Sequence, residues 1–263
     1  MKPIFITGFL MLLIFSSCKK DNGTAYNRSL KSGLSVEFDN IAGSSDLKLD
    51  TGTYTNAVRE KFTVTKLRYY VSNFELTSMD GNIYTVPQDS CYFLIDESDP
   101  FSHQPLLNVP EGEYKTVSFI LGVDSLRSTM DFSKRRGVLD PSSTGGDMYW
   151  GENSGYIFFN MEGKSTASGL MGEYEYHIGG YGGKSSPTVN NIKKISLDLT
   201  ARGTPKVKTG LEPNIHLMVD ILNVFNGPTN VSIAATPSVM LDDYSKIISN
   251  NYTAMFRHDH TEN

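Results

Sequence analysis

Apolar and polar residues alternate with a period of two along much of this chain. Leu34, Val36 and Phe38 alternate with Ser35 and Glu37, and Val117, Phe119 and Leu121 with Ser118 and Ile120. Ile195, Leu197 and Leu199 are interleaved with Ser196, Asp198 and Thr200, and Ile215, Leu217, Val219 and Ile221 with His216, Met218 and Asp220. Successive side chains of a strand point to opposite faces, so each run predicts a half-buried strand. Residues 62–76 and 91–95 are further β-rich runs, separated by the turn signal Met79-Asp80-Gly81-Asn82. Residues 156–159 are apolar on both faces, as a central strand is. Turn residues punctuate the runs at Pro110-Glu111-Gly112, Gly179-Gly180, Gly182-Gly183 and Gly227-Pro228. The chain therefore reads as all-β, an antiparallel β-sandwich with long loops. One segment breaks the period: residues 242–256 place Tyr244, Ile248, Tyr252 and Phe256 four apart behind Asp242 and Asp243. Acids at the front suit a helix dipole, which predicts one short C-terminal helix closing an end of the sandwich.

The first residues change the picture of where this sandwich works. Lys2 precedes an apolar stretch over residues 4–15, followed by Ser16-Ser17-Cys18. That stretch is too short to span a bilayer and has the layout of a secretory signal. Small residues directly before a cysteine predict a lipoprotein signal over residues 1–18, with Cys18 the acylated first residue of the mature chain. Residues 19–32 then form a polar linker, and residues 33–263 the folded domain. With Cys18 lipidated, Cys91 is the remaining thiol of two cysteines, so no intramolecular disulfide is expected. A formal charge of −5 argues against nucleic acid as a partner. Lys134-Arg135-Arg136, a run of three basic residues, reads as a solvated loop.

Candidate chemistry is sparse. H-E-x-x-H, C-x-x-C and G-x-S-x-G are all missing, and no acid, base and nucleophile set can be assembled, so the chain is not expected to be an enzyme. Asp124, Asp140 and Asp147 read as turn caps. The five histidines are His103, His177, His216, His258 and His260. In Glu173-Tyr174-Glu175-Tyr176-His177-Ile178-Gly179-Gly180, a strand puts Glu173, Glu175 and His177 on one face, and the glycines admit a close approach by another backbone or a ligand. A water-facing edge histidine is the plainer alternative. His216 shares its face with Met218 and Asp220, an imidazole, thioether and carboxylate set that suits copper, although a polar outer face is ordinary for a sandwich strand. His258-Asp259-His260 has the makeup of a small metal-binding tail close to the C-terminus, where disorder is the default. Trp150, the one tryptophan, sits in Met148-Tyr149-Trp150-Gly151-Glu152-Asn153-Ser154-Gly155-Tyr156, between glycine-rich segments and near a carboxylate. That setting is not one a core indole would have.

Lys66-Leu67-Arg68-Tyr69-Tyr70-Val71-Ser72-Asn73, Gly122-Val123-Asp124-Ser125, Leu139-Asp140-Pro141, Met148-Tyr149-Trp150, Ser154-Gly155-Tyr156-Ile157-Phe158 through Glu162-Gly163, and His177-Ile178-Gly179-Gly180 occur in this order. From about residue 33 onward the chain resembles the MbnP-type copper-binding proteins, particularly the lipoprotein members of Bacteroidota. The resemblance implies that Trp150 is oxidised to kynurenine by a di-haem enzyme of the MbnH type. The new aniline nitrogen then joins histidines around Cu(I), with His177 carried over as an imidazole ligand; His216 stays a metal candidate on its strand-face reading alone. It also implies a lipid-anchored protein of the outer membrane, on its periplasmic or cell-surface face. The chain departs from the family's pattern: the mature part has no histidine before His103, and Phe93 and Asn40 stand at early positions without imidazole. Glu152 offers only a hard oxygen. The alternative is a metal-free sandwich lipoprotein that binds a protein or glycan through aromatics such as Tyr149, Tyr156 and Tyr181.

The anchor is directly testable. Residues 19–263 hold no apolar stretch long enough to span a bilayer, so acyl chains on Cys18 would supply the membrane affinity. Cys18→Ala is expected to abolish partitioning into detergent in a phase-separation assay, and a variant that partitions like the parent would rule the anchor out.

Overall fold

Two curled β-sheets face one another in the computed structural model, which describes residues 26–143 and 146–263. Cys18, the expected signal segment and the linker up to residue 25 lie outside the described residues. The smaller sheet sets Phe256–Glu262, Asn214–Asp220, Lys31–Ala42 and Ser45–Asp46 side by side, with Leu106–Pro110 also paired to Lys31–Ala42. The larger runs through Lys193–Asp198, Gly112–Leu121, Lys61–Ser78, Gly155–Lys164, Glu173–Gly179 and Ser238–Val239, with five shorter strands paired to its members. The fold is all-β, as the alternation predicts. Two pairings differ from a purely antiparallel sandwich: Lys31–Ala42 lies parallel to Asn214–Asp220, and Glu173–Gly179 parallel to Ser238–Val239. Parallel neighbours need a long crossover, and the chain between Ala42 and Asn214 supplies one.

Alternation places Leu34, Val36 and Phe38 of one sheet against Leu67, Tyr69, Val71, Val117 and Phe119 of the other in a single buried core. Phe38 stands edge-on to Phe119 at 5.5 Å, to Phe256 at 6.2 Å and to Tyr69 at 6.3 Å between ring centroids. A second, smaller core covers the outer face of the larger sheet. There Tyr70, Tyr156 and Phe158 meet Val123, Leu139 and Met148 from the long connection after Gly112–Leu121. That cover explains why residues 156–159 are apolar on both faces.

Three expectations change. The helix covers only Ser245–Asn251, continues as a 3-10 turn over Tyr252–Ala254, and yields to the strand Phe256–Glu262. Asp242 does cap it, its carboxylate accepting from Ser245 N at 3.1 Å. His258-Asp259-His260 is thus no disordered tail but part of a ladder with Asn214–Asp220, because the backbone groups of an exposed strand edge pair when a partner is at hand. Arg135 is not solvated either: at 1% exposure its guanidinium stacks on the Phe132 and Tyr149 rings and donates to Tyr149 Oη and the Met130 carbonyl. No helix among the described residues is long and apolar enough to cross a membrane. Cys91 is buried as a free thiol, and burial pushes its pKa up.

One buried polar chain ties the sheets together. Tyr69 Oη donates to Asn40 Oδ1 at 2.8 Å, and Asn40 Nδ2 donates to Glu97 Oε2 at 2.9 Å. Burial raises the Glu97 carboxyl from its ordinary 4.5 to about 7, opposed by the Asn40 amide and reinforced by Asp46, Asp39 and Asp96. Because the folded pKa lies above the unfolded one, Glu97 favours folding fully only below about 4.5, and that contribution is lost as pH rises through 7. Glu97→Gln is therefore expected to match the parent at pH ~4 and to exceed it at pH ~8 by about 1–2 kcal/mol, a figure reduced for solvent screening. Urea midpoints at the two pH values measure this, and an equal gap at both would refute the assignment.

Candidate metal centre

Trp150 belongs to the strand Tyr149–Gly151, which pairs back onto Gly155–Lys164 so that Tyr149 faces Tyr156 and Gly151 faces Gly155. The hairpin carries the half-buried indole over the outer face of the larger sheet, where it packs on the second core. Its six-membered ring rests on Gly179. A Cβ built there would lie 2.8 Å from Trp150 Cζ3 and 2.3 Å from the Tyr156 carbonyl oxygen, so no other residue fits without moving the ring or the backbone. The close approach at Gly179 is made by the Tyr156 backbone, as expected of these glycines, and also, unexpectedly, by the tryptophan side chain.

His177 lies two residues before Gly179 in the strand Glu173–Gly179, where Tyr174, Tyr176 and Ile178 point into the core and Glu175 and His177 point outward. Two residues along a strand span about 7 Å, so the backbone of His177 lies about that far from Gly179, on which the indole rests. The cross-strand register adds two residues that sequence reasoning did not single out. Asn160 is directly opposite His177, and Glu162 lies diagonally beyond it. His177 Nε2–H donates to Glu162 Oε1 at 2.9 Å, and Lys66 Nζ reaches the same oxygen at 3.1 Å. Burial works to raise the Glu162 carboxyl, but the hydrogen bonds from His177 and Lys66 outweigh it and hold the pKa below the usual range. Asn160 is 2% exposed and its Oδ1 is buried without a hydrogen-bond partner. Glu162 lies in a quoted motif, but only its register against His177 brings it to the site.

The other candidates are elsewhere. His216 does share the outer face of its strand with Met218 and Asp220, but that strand is in the smaller sheet, whose outer face is turned away from Trp150. Asp220 accepts from the Gly43 and Leu222 amides and closes turns. The neighbours of His216 are Glu37, Asp39, Asp259 and His260. His103 holds the Asp96 carbonyl at 3.0 Å, and His258 faces Thr261 Oγ1 at 3.0 Å. Asp124 and Asp140 cap turns, whereas Asp147 forms an ion pair with Arg68. Glu152 is exposed and paired with Lys184 at 2.9 Å. Asn40 and Phe93 both serve the interior, Asn40 in the Tyr69–Glu97 chain and Phe93 against Phe74. Tyr156 and Tyr181 are 0% and 4% exposed, so they do not line an aromatic surface.

Comparison with known proteins agrees with this architecture. The solved structure of MbnP from Methylosinus trichosporium aligns with a TM-score of 0.51 at 15% identity, covering 76% of this chain and 80% of that one, a likeness of fold. A search of curated proteins finds no match. The family model for MbnP matches residues 31–241, from the first strand of the smaller sheet past the tryptophan hairpin and His177. With that span matched, the chain belongs to the MbnP family, a family associated with copper.

Proposed function

We propose that this chain is a lipid-anchored, extracytoplasmic copper-binding protein, not an enzyme, in which Trp150 becomes a ligand for Cu(I) once oxidised to kynurenine. The observation that carries the reading is the seat of the Trp150 ring on Gly179, one outward position along from His177. An intact indole has no nitrogen lone pair to give, whereas the aniline of kynurenine does. Before oxidation the face offers one imidazole and two oxygen-bearing side chains, a poor set for a soft ion. After it, the face offers two nitrogens, which suit Cu(I) far better.

The surrounding residues fit that role. Glu162 takes the Nε2–H of His177, which fixes the tautomer and leaves the Nδ1 lone pair for a metal, the usual arrangement of a carboxylate behind a ligating histidine. The orphaned Asn160 Oδ1 adds a further acceptor beside the imidazole. Copper, when bound, would be held as Cu(I) by nitrogen donors. A di-haem oxidase of the MbnH type would perform the tryptophan oxidation, and half-burial of Trp150 at the rim of the second core keeps part of the ring accessible to it.

The test compares protein made with and without such an oxidase. Mass spectrometry of the Trp150 peptide should show kynurenine only in the first. That protein should bind about one equivalent of Cu(I), and His177→Ala should weaken binding at least tenfold, or about 1.4 kcal/mol. Trp150→Phe should lower affinity relative to the oxidised form only. Unmodified Trp150 in protein from its own host, together with no copper binding by either form, would reject the reading in favour of a metal-free surface binding module.

A further inference from the structure

On the outer face of the smaller sheet, His216, Asp259 and His260 bring one donor atom each to within 4.8 Å of one another. Adjacent strand residues normally point to opposite faces, so Asp259 and His260 should not both reach His216. A bulge makes it happen. His216 pairs with His260 and Leu217 with His258, leaving Asp259 as an extra residue without an opposite number. Bulges of this kind re-aim side chains, and here the carboxylate is turned to the same spot as its neighbouring imidazole.

We propose that these three residues form a second metal site, independent of Trp150, for a divalent cation of borderline softness, with Zn(II) as the best fit. His260 Nδ1 lies 3.0 Å and His216 Nδ1 3.7 Å from Asp259 Oδ2. Tetrahedral bonds of about 2.0–2.2 Å place neighbouring donors roughly 3.4 Å apart, so an ion needs only small side-chain shifts to be held by all three. Two imidazoles and a carboxylate leave a fourth position for water and contain no soft donor, which separates this site from one suited to Cu(I).

His216 carries the strongest sign that something belongs there. Its side chain is only 13% exposed, and Nδ1 is buried without a hydrogen-bond partner, a state that costs free energy unless a ligand relieves it. Its other nitrogen, Nε2, faces Asp39 Oδ2 at 3.6 Å and Glu37 Oε1 at 4.0 Å, both from the parallel neighbour Lys31–Ala42. The tautomer protonated at Nε2, toward these carboxylates, points the Nδ1 lone pair to Asp259 and His260, the arrangement of metal-bound histidines generally. Local charge also favours a cation. Glu37, Asp39, Asp259 and Glu262 surround the site, and the nearby guanidiniums of Arg257 and Arg202 approach Asp259 through Oδ1, leaving Oδ2 to the histidines.

Zinc titrated alone into the full chain tests this, followed by calorimetry and by the melting temperature. The parent should bind about one equivalent and melt higher with zinc, since a ligand bound only by the folded chain stabilises it. His260→Gln, at an exposed position where folding is not at stake, should weaken zinc at least tenfold and abolish the thermal shift, and His216→Ala should do the same. Trp150→Phe and His177→Ala should leave zinc binding unchanged, whatever they do to copper. No zinc binding by the parent, an unaltered His260→Gln, or loss of zinc in the Trp150 and His177 variants would each overturn the site.

Discussion

Phe38 sets the terms for the rest of the molecule. Its ring enters the space between the sheets and meets Phe119 and Tyr69 edge-on from the opposite side and Phe256 from its own. Edge-to-face contacts of this kind hold two sheets at a fixed separation and resist sliding. Because side chains alternate strictly, holding Phe38 inside also decides what is outside. A one-residue slip in Glu173–Gly179 would bury His177 and expose Tyr176 and Ile178, and the same slip in Asn214–Asp220 would bury His216. Both candidate centres thus depend on register.

That dependence separates what the amino-acid pattern discloses from what it hides. Strand identity and inward faces were legible at Leu34–Val36–Phe38, Val117–Phe119–Leu121 and Ile215–Leu217–Val219, because burial against one partner sheet imposes the period directly. Gly179 was legible as a point of close approach, but that the Trp150 ring would occupy the space of its missing side chain was not. Glu162 and Asn160 were not legible as partners, since reaching His177 depends on cross-strand register rather than sequence spacing. The parallel pair was hidden for the same reason.

The C-terminal segment failed differently. Tyr244, Ile248 and Tyr252 follow a true helical spacing, and Phe256 continues it by coincidence while belonging to the next strand. Period-two burial at Phe256 and His258 was present in the sequence, but the extra residue at Asp259 breaks it just where the ladder starts to matter. Arg135 hid behind its neighbours: a basic triplet looks solvated, yet its planar group suits the space between two aromatic rings.

The buried thiol of Cys91 bears on the order of events. Cysteine sulfur outranks imidazole and aniline as a donor to Cu(I), and residues 33–263 contain this single cysteine. In the folded domain the sulfur is enclosed, its pKa raised, and its weak hydrogen bond given to the Gln88 carbonyl at 3.4 Å. An unfolded chain presents the same sulfur to solvent. Under the proposed Cu(I) role, an ion meeting the unfolded polypeptide would be drawn to this sulfur, and such binding would shift the equilibrium toward the unfolded form. Enclosing Cys91 would then make completed folding the step that leaves nitrogen rather than sulfur open to the ion, with the domain's interior as a timer for that proposed loading.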